Sequence, residues 1–185
     1  MQANSNKNLS SPVCKRRIRQ SNANVWLKMD INLSEIRRKT VSVKQYLNSL
    51  EEPFREKFLA RKQTYRLNQE VMNKLKHCAD KFVVVTFSAE WCKDCAANIP
   101  VIALISEATG LEVRIFGGLM KDPLSHTRKW RIPPSPPEVE TFHVDKIPLI
   151  ILFSKEGKEV GKIIEKPEEQ TLEEELLKII LEKTP

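Results

Sequence analysis

The sequence predicts an α/β fold in which a four-stranded mixed sheet is flanked by helices and preceded by an N-terminal helical extension. The main evidence is a set of short, nearly continuous apolar runs rich in β-branched residues, which are typical of strands buried on both faces. A helical pattern separates the first two runs, and this order indicates a right-handed parallel βαβ unit. A turn signal at 155–158 joins the last two runs into a hairpin.

The N-terminal third is predicted to be helical. Apolar residues recur every three or four positions from about residue 43 to residue 63, as on the buried face of a helix. Pro53 either kinks this helix or starts a second one. Asn68 is a suitable N-cap for a shorter helix that ends before Lys81.

The sheet follows these helices. The predicted strands, in spatial order, are 111–116, 82–88, 147–153 and 158–164. A helix from 93 to 108 ends at Gly110, and Thr171 caps an acidic C-terminal helix. Residues 117–146 are predicted to be irregular, because they begin with two glycines and contain the proline-rich run 133–137.

The positive charge of the chain is concentrated near its N-terminus. The net charge is +7, from 31 Lys and Arg against 24 Asp and Glu. Residues 1–28 contain six basic and no acidic residues, whereas residues 67–185 have an acidic excess. The Asn- and Ser-rich segment 1–28 is predicted to be either a disordered basic tail or a translation artefact ahead of Met29. Its basic run at 15–19 contains no aromatic residue, so nucleic-acid binding is not expected.

Composition excludes several classes of protein. No apolar stretch approaches the roughly 18 residues that a membrane-spanning helix needs, and four cysteines are too few for a disulfide-rich secreted scaffold. No apolar segment follows the N-terminal basic run, so a secretory signal is not expected. We therefore expect a cytoplasmic, monomeric protein without a membrane partner. Its predicted parts are the tail at 1–28, a helical extension at 29–67 and a third domain at 68–185.

The chemistry is predicted at Cys92 and Cys95, which stand at the start of the helix that follows the first buried strand. Residues three apart lie on one face of a helix, so the two sulfur atoms can come within disulfide reach. Cys92 faces the unpaired N–H groups and the positive end of the helix dipole, which stabilise its thiolate. Cys92 is therefore the predicted nucleophile, and the more shielded Cys95 is the thiol that resolves the mixed disulfide.

The residues around this pair resemble the thioredoxin superfamily over about residues 68–185. Trp91 directly precedes the first cysteine, and Pro100 stands where the family has a kinking proline in its active-site helix. Ile147-Pro148 opens the third strand, where the family has its cis-proline. The likeness is greatest to bacterial and archaeal thioredoxin-like proteins that have N-terminal helices and a Trp-Cys-x-Asp-Cys site. The resembling motif reads Ser88-Ala89-Glu90-Trp91-Cys92-Lys93-Asp94-Cys95.

The resemblance implies a substrate site beside the two cysteines. Pro148, in cis, would lie against the pair and leave backbone free to receive a substrate strand, with Ile147 and Trp91 as further contacts. The segment 128–131 contains two arginines, a lysine and a tryptophan, and it either overhangs the pair or forms a solvated loop.

Charged residues near the pair are expected to tune it. Asp94 tends to raise the pKa of the nucleophilic thiol, Lys93 tends to lower it, and Glu90 is a further available carboxylate. One departure from the family concerns a buried aspartate six residues before the first cysteine. Thr86 stands at that place in this chain, so any proton relay that the carboxylate provides must be absent or taken over.

The predicted function is thiol–disulfide exchange, in which the protein reduces a disulfide of a protein or small-molecule partner. No bound cofactor or metal is expected, but a reductase or a small thiol must supply electrons. Two alternatives remain: a redox-inactive binding or adaptor protein, and metal handling by the same pair. For metal handling, His77 and Cys78 are the available companions, and their spacing from Cys92 fits no common zinc-finger pattern.

Overall fold

A computed structural model of the chain describes residues 29–126, 129–130 and 132–183, so the predicted tail at 1–28 lies outside the described residues. The strands are β1 (Val41–Ser42), β2 (Phe82–Phe87), β3 (Glu112–Phe116), β4 (Leu149–Ser154) and β5 (Glu159–Ile164). The helices are α1 (Leu33–Lys39), α2 (Val43–Ser49), α3 (Phe54–Thr64), α4 (Gln69–Lys76), α5 (Lys93–Thr109), α6 (Glu138–Thr141) and α7 (Leu172–Lys183).

The five strands form one mixed sheet in the order β1-β3-β2-β4-β5. Strand β2 runs parallel to β3 and antiparallel to β4, and β4 forms an antiparallel hairpin with β5. The predicted α/β class and the predicted order of four strands are confirmed. The sheet also has a fifth strand, β1, which pairs antiparallel with the outer edge of β3. Two residues are too few to show the alternation by which a strand is recognised in sequence.

Strand β2 lies at the centre of the sheet, and all six of its residues are buried. Thr86 lies opposite Ile115 on one side and Ile150 on the other. Helix α5 connects β2 to β3, and helices α3, α4 and α7 pack against α5. Helical packing over a central strand explains why its sequence is continuously apolar.

The helix predicted over 43–63 is two helices. Helix α2 begins after Ser42, whose side chain forms a capping box with Gln45. Pro53 is the N-cap of α3, so this proline starts a second helix and does not kink a single one. Asn68 caps α4 as predicted, since its side chain accepts the backbone N–H groups of two residues in the first turn.

Hydrogen bonds hold the N-terminal segment to the sheet both near its start and at the end of α1. Near its start, Ile31 donates its backbone N–H to the carbonyl oxygen of Gly157 in the β4–β5 turn, at 2.9 Å. At the end of α1, the Arg37 guanidinium makes two hydrogen bonds, of 2.7 and 2.8 Å, to the carboxylate of Glu112 on β3. A paired guanidinium and carboxylate fix both distance and orientation. This segment therefore spans from the hairpin to the β3 edge.

Over its described residues, the segment 117–146 is largely irregular, as predicted, apart from α6. Phe142 packs this segment onto the sheet, with its ring centroid 5.1 Å from that of Phe87 and 6.0 Å from that of Phe116. Among the described residues, no helix is both long and apolar enough to cross a bilayer.

Candidate active site

Cys92 is the N-cap residue of α5. Its backbone is extended, with φ −80° and ψ 121°, and its Sγ atom accepts the backbone N–H of Cys95 at 3.3 Å. An N-cap side chain satisfies N–H groups that have no partner within the helix. A thiolate at this position also lies at the positive end of the helix dipole.

The two thiols have opposite electrostatic environments. Hydrogen bonding with the Cys95 side chain lowers the pKa of Cys92 to about 7; burial opposes this effect, and the backbone N–H groups of Cys95 and Asp94 support it. Burial raises the pKa of Cys95 well above its ordinary value, and the adjacent Cys92 raises it further. Cys95 is fully buried, and Cys92 is 8% exposed. Both are free thiols. The first cysteine can therefore be a thiolate at neutral pH while the second remains a thiol.

Tertiary structure brings Ile147 and Pro148 next to the cysteine pair. The Cys92 thiol points to the carbonyl oxygen of Ile147, with 3.5 Å between sulfur and oxygen, and the Ile147–Pro148 peptide bond is cis.

Asn98 stabilises the first turn of α5, in which Cys95 lies. Its Nδ2 atom donates hydrogen bonds of 2.9 Å to the carbonyl oxygens of Asp94 and Glu165, which joins the first turn of α5 to the segment after β5.

Trp91 is 39% exposed at the edge of the site. Its indole Nε1 donates to the carbonyl oxygen of Leu119 at 3.0 Å, and its ring stacks on Trp130 with 6.1 Å between centroids. The segment 117–146 therefore lies beside the cysteine pair. In the segment 128–131, Trp130 is buried and Lys129 pairs with Asp145, whereas both arginines lie outside the described residues.

The predicted tuning residues differ in their exposure. Lys93 and Asp94 are exposed in the first turn of α5. The negative charge of Asp94 raises the pKa of Cys92, but its backbone N–H lowers it, and the overall direction is downward. Glu90 is half-buried and lines a cavity of about 360 Å³.

The sequence does not predict a buried polar contact between two residues near the pair. Tyr46 of α2 and Ser88, which follows β2, form a buried hydrogen bond of 3.0 Å between their hydroxyl oxygens. Tyr46 fitted the apolar periodicity of a helix, so its pattern indicated a packing role. Ser88 lies in the quoted motif, but nothing local indicated a partner 42 positions away.

Ligands for a metal are sparse around the pair. Over the described ranges, no group of three or more His, Cys, Asp or Glu side chains is arranged to hold a metal ion. Cys78 stands partly buried at the end of α4, where its thiol donates to the carbonyl oxygen of Leu75.

Comparisons with known proteins bear on the family to which the chain belongs. A family model described as "Thioredoxin" matches residues 40–176. A thioredoxin from Chlamydia muridarum is 37% identical over 86 residues, which are 46% of this chain and 71% of that protein. Such a relation supports a thiol–disulfide redox role in general.

Two solved structures share the fold. A Pseudomonas aeruginosa protein of unknown function aligns with a TM-score of 0.57 at 14% identity, over 83% of this chain and 87% of its own. An HIV epitope-scaffold aligns with a TM-score of 0.63 at 12% identity, over 83% of this chain and all of its own. At such low identities these structures bear on the fold alone. The matched residues 40–176 include both cysteines and the segment that contacts them, and the chain belongs to the thioredoxin family.

Proposed function

We propose that the protein is a thiol–disulfide oxidoreductase that reduces disulfides of a partner through Cys92 and Cys95. The observation that supports this most directly is the hydrogen bond from the Cys95 backbone N–H to the Cys92 sulfur. That contact stabilises negative charge on the outer sulfur at the position where an incoming disulfide meets it first. The buried Cys95 is held one helical turn behind it.

The reaction proceeds in two exchanges. The Cys92 thiolate attacks one sulfur of the substrate disulfide, forms a mixed disulfide and expels the other sulfur as a thiolate, which takes up a proton from water. Cys95 then loses its proton and attacks the Cys92 sulfur. The bond between Cys92 and the substrate breaks, and the second substrate sulfur leaves as a thiolate. The substrate gains two electrons, and the protein keeps a Cys92–Cys95 disulfide.

The neighbouring residues support substrate binding and tuning in this proposal. Ile147 and Pro148 offer a backbone edge beside the Cys92 sulfur, and half-exposed Trp91 offers an aromatic surface next to it. The charges of Lys93 and Asp94 interact with the incoming substrate and with the Cys92 thiolate. Glu90 acts from the adjacent cavity.

The oxidised protein needs two electrons from outside. We propose that a reductase or a small thiol supplies them and that no bound cofactor takes part, because the two sulfurs themselves hold and transfer the electron pair. We also propose that the protein is monomeric and that the cycle runs in the cytoplasm, the compartment in which disulfides are kept reduced.

A single-turnover experiment tests the proposal. The pre-reduced protein is mixed with a model disulfide that releases a chromophoric thiolate, such as dithiobis(nitrobenzoate), and the release is followed by stopped flow. Cys92→Ser is expected to abolish release from the pair, and Cys95→Ser to stop after the first thiolate. Cys78→Ser is the matched control and is expected to leave both releases from the pair unchanged, because Cys78 lies after the end of α4 and is not part of the pair.

The pH dependence of alkylation at Cys92, followed by mass spectrometry, is the second measurement. Its midpoint is expected near pH 7, in accord with the lowered pKa of this thiol, and not near the roughly 8.5 of a free cysteine. A midpoint near the free value, together with equal disulfide reduction by Cys92→Ser, would contradict the proposal and favour a redox-inactive binding protein. A tightly bound metal ion recovered at one per chain would favour metal handling.

A further inference from the structure

An ion pair borders the residues on which a substrate strand is proposed to lie. Ile147 and Pro148, here called the substrate platform, adjoin the Cys92 sulfur, which is 3.5 Å from the Ile147 carbonyl oxygen. Lys146 directly precedes the platform, and its Nζ atom lies 2.8 Å from an Oε atom of Glu165, the residue after β5. Glu165 also donates its backbone N–H to the Pro148 carbonyl oxygen at 2.8 Å. One member of the ion pair is therefore covalently next to the platform, and the other is hydrogen-bonded to it.

The helix that carries the cysteines also holds Glu165. Asn98 donates one hydrogen bond to the Glu165 carbonyl oxygen and one to the Asp94 carbonyl oxygen, each of 2.9 Å. Asp94 stands between the two cysteines in the first turn of α5. The backbone of Glu165 is therefore bonded both to the platform and, through Asn98, to the start of α5. These contacts fix the place of its carboxylate at the edge of the site.

The backbone conformation of Glu165 distinguishes its ion pair from the other pairs on the surface. Its φ is +64°, and among the described residues only His143 and Glu165 are non-glycine residues with a positive φ. This left-handed conformation favours glycine, because a Cβ atom is crowded there. An exposed ion pair contributes little to stability. A charged side chain at a strained position beside a reactive thiol is therefore better explained by function than by stability.

Two adjoining ion pairs beside the platform each have zero net charge. Lys146 pairs with Glu165, and the preceding residue, Asp145, pairs with Lys129 at 2.8 Å. The hydrogen bond with the Glu165 carboxylate raises the pKa of Lys146, so its ammonium group is charged at neutral pH. The side chains of Lys146 and Glu165 are 53% and 38% exposed, so a docking substrate can approach both. A charged substrate residue therefore meets attraction and repulsion of similar size at this pair.

We propose that the Lys146–Glu165 pair determines substrate specificity by keeping the platform electrically neutral, so that the protein favours peptide disulfides whose neighbouring residues are uncharged. The inference rests on the proposed function and names the substrate class of that same site. A charged neighbour gains no net attraction from the pair but loses part of its hydration when it docks, whereas an uncharged neighbour does not have that cost. Removal of either member leaves the other charge uncompensated, and the preference should then turn to substrates of the opposite charge.

Three matched peptide disulfides measure this preference. Each is a symmetrical dimer of a short peptide with a single cysteine, which is followed by alanine, glutamate or lysine. Because the two halves are identical, the same neighbour flanks whichever sulfur Cys92 attacks. The pre-reduced protein is mixed with each dimer under single-turnover conditions, and the released peptide thiol is quantified by chromatography. Each rate is divided by the rate of the same dimer with dithiothreitol, which removes differences in intrinsic reactivity.

The expected shifts have opposite signs in the two single variants. Wild type should reduce the alanine peptide fastest, and the glutamate and lysine peptides at rates within about twofold of each other. Glu165→Gln leaves Lys146 uncompensated and should raise the glutamate-to-lysine rate ratio by roughly fivefold, as expected for an exposed charge. Lys146→Gln should lower the same ratio by a similar factor. The double variant is neutral again and should return to the wild-type ratio.

Two control variants separate the local charge from other effects. Glu165→Gly removes the same carboxylate and also relieves the left-handed backbone, so its ratio should match that of Glu165→Gln. Glu107→Gln changes the net charge of the protein equally, but Glu107 pairs with Lys62 at 2.6 Å near the far end of α5. That site is about 20 Å along the helix axis from Asp94, so the ratio should stay at the wild-type value. Added salt should reduce the shifts in the platform variants.

Failure of this inference can be told apart from failure of the proposed function. An unchanged ratio in both folded single variants, or a wild type that reduces a charged peptide fastest, overturns the inference and leaves the thiol exchange intact. Shifts of the same sign in both single variants, or an equal shift in Glu107→Gln, also overturn it, as does a shift confined to Glu165→Gly. If wild type reduces none of the three peptides, the proposed function and this inference fail together. Thermal unfolding identifies a misfolded variant, and the other single variant then decides the result.

Discussion

The backbone N–H of Cys95 donates a hydrogen bond to the Sγ atom of Cys92 across 3.3 Å. The second cysteine of the pair thus stabilises the thiolate of the first while its own thiol remains buried. One helical turn therefore separates the sulfur whose pKa is lowered from the sulfur that is fully buried.

Replacing Asp94 with asparagine is expected to lower the pKa of Cys92 further. The negative charge of Asp94 raises this pKa, and Asp94→Asn removes the charge while keeping the backbone N–H that favours the thiolate. Asp94 is exposed, so solvent screens its charge and the downward shift should be roughly half a pH unit. Alkylation of Cys92 across a pH series measures the shift. Asp80→Asn, at the opposite end of β2, is the control, and an upward shift in Asp94→Asn would contradict the expectation.

Glu112 is expected to make stability depend on acid pH. The Arg37 guanidinium, assisted by Lys155, holds the pKa of this carboxyl at about 2, below its ordinary value of 4.5. A lowered folded-state pKa adds stability above about pH 4.5, and that stability is lost as the pH falls toward 2.

We therefore expect Glu112→Gln to lower the free energy of unfolding at neutral pH by about 1 kcal/mol, allowing for solvent screening of these half-exposed groups. Urea unfolding at several pH values measures the difference, which should vanish near pH 2. Glu107→Gln removes an exposed pair with Lys62 and should change stability by only a few tenths of a kcal/mol. A difference in unfolding free energy between wild type and Glu112→Gln that grows toward low pH would contradict this prediction.

Gly157→Ala is expected to loosen the contact between the N-terminal segment and the hairpin. Gly157 has φ +86°, and an added Cβ would overlap the carbonyl oxygen of Ile31. Gly110 has a similar φ of +78° but open space around it. Gly110→Ala therefore measures backbone strain alone, at about 1 kcal/mol. Gly157→Ala should cost about 2 kcal/mol more, because backbone must also move. If thermal or urea unfolding showed that Gly157→Ala and Gly110→Ala lose equal stability, the N-terminal segment would have moved away from the added Cβ without cost.

Asn98→Ala is expected to destabilise the junction between α5 and the segment after β5. The side-chain amide makes two hydrogen bonds of 2.9 Å to backbone carbonyl oxygens, and truncation leaves both without this donor. A loss of about 2 kcal/mol in the free energy of unfolding is expected. Asn73→Ala, at an exposed site on α4, is the control and should be neutral or slightly stabilising, because alanine favours a helix. No difference between the two variants would mean that water replaces the Asn98 amide.

Much of the fold was predictable because its signals are local. The three consecutive valines of β2, the N-cap at Asn68 and the left-handed Gly110 at the end of α5 each act within a few residues. The short edge strand β1 was not predictable. Its pairing partner, Ile115, lies more than seventy positions away from Val41 and leaves no mark in the local pattern.

The candidate site was likewise predictable only in its local features. Sequence alone determined that two cysteines three apart begin a helix after a buried strand, and this spacing implies a nucleophile and a resolving thiol. Only the tertiary structure placed the Ile147 carbonyl oxygen 3.5 Å from the Cys92 sulfur, and the Tyr46 hydroxyl 3.0 Å from that of Ser88. The electrostatic effect of a helix end acts over a single turn, so residues that are neighbours in the sequence indicate it. A hydrogen bond between distant segments depends on how the whole chain packs.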